Sequence, residues 1–293
     1  MSTVLPHLPL PAMPSSTNSK SSFIHGGAYR DPKTTASSFN PTLSLLLSLP
    51  HHTRTITRIS GFASINYRLS PHLDYPQDPG KTTSYEMRNA KHPDHINDVM
   101  AAIGALQKKY DLEKYLLVGH SVGATLAMQV ALSRAIAWDP GTALKSDIGL
   151  PIAILGVAGI YDFPYMVRHV PSGSKAMYSD FTRSAFGGDE NVWKAVSPAT
   201  YDRGTYEKSW SPGQRKLVLV AHSHEDELVA WSQVDRFKAA LDGQQGNIEL
   251  RVIELKGKHQ EILDRGEEMA KAITEAISGV AEIGGIDATS PSP

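Results

Sequence analysis

Short β-branched or leucine-rich runs alternate with amphipathic stretches along most of the chain, which is the pattern of parallel strands joined by crossover helices. The runs predict strands at 22–24, 61–67, 115–118, 152–157, 217–221 and 248–255. Helices are predicted at about 40–49, 95–110, 122–137, 228–241 and 261–278. In the second of these, Ile96, Val99, Met100, Ile103 and Leu106 recur at three- and four-residue steps and line one face. The stretch 163–212 interrupts the alternation, carrying Tyr165, Met166, Tyr178, Phe181, Phe186, Trp193, Tyr201, Tyr206 and Trp210 without a sustained strand pattern. Such an insertion forms either a small helical cap over the strand ends or ordinary packing on the sheet edge, and the pattern leaves both open. Residues 1–20 and 284–293 have the Pro/Gly/Ser/Thr composition of flexible ends, which leaves a single domain at 21–283.

Composition narrows the function classes. With 293 residues, 41% hydrophobic and 20% charged, the chain is sized for one layered α/β domain with a large buried sheet. A net charge of −1 gives no electrostatic reason to expect nucleic acid or an anionic membrane, so a small-molecule substrate is the expected partner. No cysteine is present, which removes thiol catalysis, Cys-ligated zinc and disulfides together. The first residues lack both a basic region and an unbroken apolar core, so no signal peptide is expected. The greasy run Leu43-Ser44-Leu45-Leu46-Leu47-Ser48-Leu49 is too short to cross a bilayer, and a cytoplasmic location is the expectation. No histidine and carboxylate cluster has metal-ligand spacing and no Gly-rich phosphate loop occurs, so neither a metal nor a cofactor is inferred. Monomer and homodimer both stay open.

The most specific chemical signal is Gly119-His120-Ser121-Val122-Gly123, a G-x-S-x-G between an apolar strand and a helix rich in small residues. Such a serine sits on a tight strand-to-helix turn where Gly119 and Gly123 leave space that a Cβ would fill. The turn holds the Ser121 hydroxyl above the sheet edge, and the Val122 N–H opens the following helix, where unpaired donors favour an oxyanion. A second signal, His25-Gly26-Gly27-Ala28-Tyr29, directly follows a short strand upstream. Successive glycines let main-chain N–H groups approach a substrate oxygen, making Gly26, Gly27 and Ala28 oxyanion candidates together with Val122. His25 itself reads as a structural residue.

A serine hydroxyl needs an adjacent imidazole, itself oriented by a carboxylate, and in this arrangement the chain order is Ser, acid, His. Twelve histidines compete for the base. His259 is best placed, in a loop between the last strand and the last helix, whereas His222 and His224 fall in the loop that should carry the acid. Within Ser223-His-Glu-Asp-Glu-Leu, Asp226 is the expected acid, with Glu225 and Glu227 as rivals that should face solvent. Asp98 and Asp162 read as caps or turn formers rather than pocket residues.

Taken together, His25-Gly-Gly-Ala-Tyr-Arg-Asp-Pro, Ala63-Ser-Ile-Asn-Tyr-Arg-Leu-Ser-Pro and Gly119-His-Ser-Val-Gly-Ala-Thr resemble the HGG-bearing esterases of the α/β-hydrolase fold. They are most similar to the fungal kynurenine formamidases (arylformamidases), and the similarity continues through Gly257-Lys-His-Gln-Glu. The resemblance implies hydrolysis of N-formyl-L-kynurenine to L-kynurenine and formate, a step of tryptophan degradation that feeds NAD synthesis. It implies Ser121, Asp226 and His259 as triad and the HGG backbone, especially Gly27 and Ala28, as oxyanion hole. Tyr29 stands where the family usually has Trp, and the N-terminal segment lacks the apolar strands that normally precede the HGG strand. A broad carboxylesterase and a non-catalytic binding protein on the same scaffold are the alternatives.

Overall fold

The computed structural model of the chain describes residues 4–6, 19–48, 57–110, 112, 114–136, 138, 148–170, 172–243 and 246–283. The elements run β1 (Val4–Pro6), β2 (Ser19–Ile24), α1 (Asn40–Ser48), β3 (Ile59–Ile65), α2 (Asp94–Tyr110), β4 (Tyr115–His120) and α3 (Val122–Leu132). They continue with β5 (Ala153–Val157), α4 (Phe163–His169), α5 (Lys175–Phe186), α6 (Glu190–Ala195), α7 (Arg203–Trp210) and β6 (Lys216–Ser223). The chain closes with α8 (Ser232–Ala240), β7 (Ile248–Leu255), α9 (His259–Arg265) and α10 (Glu267–Ile283). The strands form one sheet in the order β1-β3-β2-β4-β5-β6-β7, parallel except for the short antiparallel β1. This is the parallel α/β sheet expected from the alternation of strand and helix patterns, in the α/β-hydrolase arrangement that the resemblance implies.

The sheet is covered on both faces, which is why its central strands read as continuous apolar runs. Every residue of β4, β5 and β6 is buried. Successive side chains leave opposite faces of a strand. Leu117 of β4 accordingly belongs to the same core cluster as Val99 and Ile103 of α2, while Leu116 and Val118 belong to the second cluster, with Leu46 of α1 and Ile273 of α10. Each such fully buried Leu, Ile or Val contributes roughly 1.5–3 kcal/mol.

The topology brings two loops together. From β2 the chain moves outward to β3 and then returns to β4 on the other side of β2, so Ile24 at the end of β2 pairs with Gly119 at the end of β4. Ligand sites of parallel sheets form at the carboxyl ends of strands where the order reverses in this way. The HGG loop after β2 and the serine turn after β4 meet at that point.

The expected ends need correction. Of residues 1–20, Val4–Pro6 pairs with β3 and Ser19 and Lys20 open β2; residues 1–3 and 7–18 lie outside the described residues, as do 284–293. The last helix is two, because Gly266 adopts the left-handed conformation (φ 75°) and ends α9. A Cβ there would lie 2.5 Å from the Thr42 backbone nitrogen, so the close approach of α1 also demands glycine. Helix α3 stops at Leu132 rather than continuing to the expected 137, a position outside the described residues. Among the described residues, no helix is long and apolar enough to cross a membrane.

Side chains of the aromatic stretch 163–212 go to two places. Met177, Tyr178 and Phe181 of α5 reach a cavity at the strand ends. Trp193, Tyr206 and Trp210 are instead buried, their polar atoms donating to the carbonyls of Gly187, Pro198 and Pro151.

Candidate active site

Ser121 sits between β4 and α3 at φ 55° and ψ −123°, a conformation that costs a non-glycine residue about 1–3 kcal/mol. The neighbours over-determine it. The Ser121 N–H donates to Val157 O at 2.9 Å. A Cβ on Gly119 would lie 2.2 Å from Gly123 O, and a Cβ on Gly123 would lie 2.2 Å from Ile24 O. Both glycines are therefore required for α3 to start this close to β2 and β4.

The HGG loop is a second run of unusual backbone: Gly27, Ala28 and Tyr29 have φ of 81°, 50° and 63°. Gly27 O accepts from the N–H groups of Arg30 and Asp31, at 2.9 and 2.8 Å, which folds the loop back on itself. Among the described residues the N–H groups of Gly27, Ala28 and Val122 find no acceptor. All three residues line one cavity of about 370 Å³ with Ser121 and His259. Gly26 does not line it. A Cβ on Gly26 would lie 2.9 Å from Ser121 Cβ, so this glycine provides clearance beneath the serine.

Tyr67, from the Asn-Tyr-Arg-Leu-Ser-Pro block, braces this loop from below. Its hydroxyl lies 3.1 Å from His25 O and 2.9 Å from Gly26 O, and its ring stacks on His25 at 4.4 Å. Burial lowers the His25 pKa to about 4, which keeps the ring neutral, in line with a structural role. The same block ties down its flanks: Ser70 N–H donates to Tyr29 O at 2.9 Å, and Arg68 holds Asp98 at 2.9 Å. Tyr29 is buried against His95, Phe163 and Phe186, away from the cavity lining.

His259 opens α9, and its Nδ1–H donates to Asp226 Oδ2 at 2.8 Å. The Asp226 side chain is fully enclosed, and its Oδ1 accepts from Leu228 N–H at 3.0 Å and Val229 N–H at 2.7 Å. Burial opposes the charged carboxylate. The His259 hydrogen bond and charge, with the Val229 N–H, outweigh it and hold the Asp226 pKa below the usual carboxylate value. With Nδ1 committed, Nε2 is the His259 nitrogen left to take a proton. The Ser121 hydroxyl closes no hydrogen bond to it in this arrangement; catalytic contacts of this kind commonly tighten only once substrate is bound.

The rivals are placed elsewhere. Glu225 and Glu227 are exposed, though Glu227 accepts the His259 backbone N–H at 3.1 Å. His222 donates Nε2–H to Val229 O at 2.8 Å, and His224 stacks on Trp231 at 3.8 Å. Asp162 caps α4 through Tyr165 N–H and pairs with Arg236. Among the described residues no group of three or more His, Cys, Asp or Glu could hold a metal.

His120 is a further residue of the site, one that no sequence signal marks. Its ring centroid lies 4.8 Å from that of His259, its Nε2 is 3.3 Å from His259 O, and burial with the neighbouring His259 lowers its pKa to about 3. A neutral imidazole thus backs the candidate base. As the variable position of G-x-S-x-G, it carried no signal of that contact.

The alpha/beta hydrolase family model matches residues 23–272. A kynurenine formamidase-like hydrolase of Fusarium equiseti is 36% identical over 89% of this chain and 83% of its own length. A kynurenine formamidase of Aspergillus versicolor is 35% identical over 82% of each chain, and one of Meyerozyma guilliermondii is 34% identical over 87% and 83%. Among solved structures, the butyrate-bound esterase of Thermogutta terrifontis shares 18% identity at TM-score 0.63, covering 99% of this chain and 92% of its own. The acetyl ester-xyloside bifunctional hydrolase of Caldicellulosiruptor lactoaceticus shares 18% at TM-score 0.60, covering 97% and 88%. Likeness at that level speaks for the fold alone, whereas the sequence relatives are close enough to assign the family. The chain belongs to the α/β hydrolases and, within them, to the kynurenine formamidase family.

Proposed function

We propose that the chain is a serine hydrolase that cleaves the formamide C–N bond of N-formyl-L-kynurenine, giving L-kynurenine and formate. The observation that carries this reading is the single cavity lined by Ser121, His259 and the unpaired donors of Gly27, Ala28 and Val122, with Asp226 fixed behind the imidazole. In the proposed reaction Ser121 Oγ attacks the formyl carbon while His259 Nε2 takes its proton. The carbonyl oxygen becomes an oxyanion facing the three N–H groups, each worth about 3 kcal/mol in such a site. His259 then gives the proton to the aryl nitrogen as the C–N bond breaks, leaving a formyl ester on Ser121. Water attacks that ester, its proton passes through His259 to Ser121 Oγ, and formate departs. Asp226 holds the imidazole in the tautomer with Nε2 free and stabilises the imidazolium.

No step of this scheme calls on a cofactor, and a cytoplasmic setting belongs to the same proposal. The test compares kcat/KM of the purified chain on N-formyl-L-kynurenine, followed by absorbance of the released aryl amine, with that on a short-chain aryl ester. The formamide should be the better substrate. A strong preference for the ester would replace this reading with a general carboxylesterase.

A further inference from the structure

The acyl-transfer groups account for only part of the cavity. Its remaining lining is of two chemical kinds: apolar surface that includes Met177, Phe181 and Leu228, and a polar set that includes Arg30, His72, Asp74 and Asp31, the last with its carboxylate already taken by Lys33 N–H and Thr34 Oγ1–H. An aryl ring is served by the first kind. The second has no task in the chemistry of the formyl group.

The polar set carries unspent hydrogen-bonding capacity. Arg30 follows the HGG loop and is nearly enclosed, its side chain 10% exposed, with one Nη1–H given to Asp180 of α5. A guanidinium has five donors in a planar fork, and among the described residues the others meet no acceptor. The Asp74 N–H donates to His72 Nδ1 at 3.1 Å, which leaves the proton of the neutral ring on Nε2, again with no acceptor among the described residues. Burial, aided by the Arg30 charge, pushes the His72 pKa down and favours that neutral form. The Asp74 carboxylate is 85% exposed, with the neutral His72 Nδ1 4.0 Å away. A cavity with a forked cation, a neutral N–H donor and an open carboxylate suits a zwitterion better than a neutral acyl ester. At about 370 Å³ it lies near the small end of ligand sites, the size for a one-ring amino acid.

We propose that Arg30 and His72 Nε2–H bind the α-carboxylate of the substrate's amino-acid end and that Asp74 takes its α-ammonium, so that this rim selects zwitterionic aryl formamides. The assignment rests on the formamidase reading of the site, and it makes Arg30, His72 and Asp74 specificity residues rather than catalytic ones.

The experiment uses the full chain and two formamides that differ only in the amino-acid end: N-formyl-L-kynurenine and N-(2-acetylphenyl)formamide. The kcat/KM ratio of the pair is measured for wild type, Arg30→Gln, His72→Leu and Asp74→Asn. Wild type should prefer the zwitterion, and each variant should lower the ratio about tenfold through KM, as expected for a partly exposed charge-assisted contact. Because Arg30 also anchors Asp180, the His72 and Asp74 variants guard against a folding defect. Equal losses on both substrates would mean that these residues only brace the cap, which overturns the proposal. Calorimetry on Ser121→Ala with L-kynurenine and 2-aminoacetophenone separates the two claims. Selective binding of L-kynurenine that His72→Leu abolishes supports the rim even if neither formamide is hydrolysed, which would count against the reaction alone. Equal affinity for the two amines overturns the rim whatever the reaction proves to be.

Discussion

Replacing Asp226 by Asn probes the orienting carboxylate with the smallest possible change. In the native site Oδ1 accepts two backbone N–H groups, from Leu228 and Val229, and Oδ2 accepts His259 Nδ1–H. An asparagine keeps its carbonyl on the two N–H groups, because the reverse orientation would leave those buried donors facing an amide NH2 at about 1–3 kcal/mol each. The NH2 then points at His259 Nδ1, which must accept rather than donate. The imidazole proton moves to Nε2, and the nitrogen needed to take the serine proton is blocked. Loss of this tautomer control in a serine triad lowers kcat on the order of 10⁴-fold, or about 5 kcal/mol of barrier. The assay is kcat and KM on N-formyl-L-kynurenine between pH 6 and 9, with the thermal midpoint as a control on folding. A loss below tenfold in a fully folded variant would refute the tautomer argument. Equal loss in a variant whose midpoint has collapsed would show only that the buried site was disrupted.

Two further outcomes follow from the same geometry. Tyr67→Phe removes the hydroxyl that reaches His25 O and Gly26 O; we expect about 1–2 kcal/mol lower stability and a fall in kcat larger than the change in KM, and unchanged values of all three would show that the HGG loop does not need this brace. His25, His95 and His120 are held neutral mainly by burial, with pKa values lowered from 6.5 to about 4, 3 and 3, so the unfolded chain binds more protons than the folded one below pH 6.5. Stability should therefore fall as pH drops from about 6.5 towards 4, read as a falling urea midpoint, with a shallower fall in His95→Gln; a flat profile would contradict the buried neutral state.

The layout of the fold was legible because its strands carry strong signals. All six expected strands are present in the expected order, since central parallel strands buried on both faces leave uninterrupted runs such as Leu116-Leu117-Val118. Boundaries were less legible where side chains divert the backbone. The helix expected from 228 starts at Ser232, the carbonyls of Leu228 and Val229 being taken by the Tyr178 hydroxyl and His222 Nε2–H instead of by helical N–H groups. The amphipathic pattern crosses Gly266 unbroken, so the break between α9 and α10 depended on a close approach of α1 that periodicity does not encode. In the site, Ser121 and His259 line one cavity and Asp226 accepts from His259 Nδ1–H; these positions were legible because G-x-S-x-G and the Ser, acid, His order constrain the backbone as well as the chemistry. The support was not legible in the same way. Nothing in the Asn-Tyr-Arg-Leu-Ser-Pro block marks Tyr67 as a brace, Gly26 differs from Gly27 in backbone φ and in which neighbour crowds it, which a glycine pair does not reveal, and the polar rim joins Arg30 to His72 and Asp74 across loops far apart in sequence.

The central claim is that Ser121 attacks a formamide carbon inside this cavity, and turnover of Ser121→Ala on N-formyl-L-kynurenine tests it most directly. The variant should fold normally and lose activity by a factor on the order of 10⁶. Turnover close to that of wild type, in protein free of contaminating hydrolase, would contradict it.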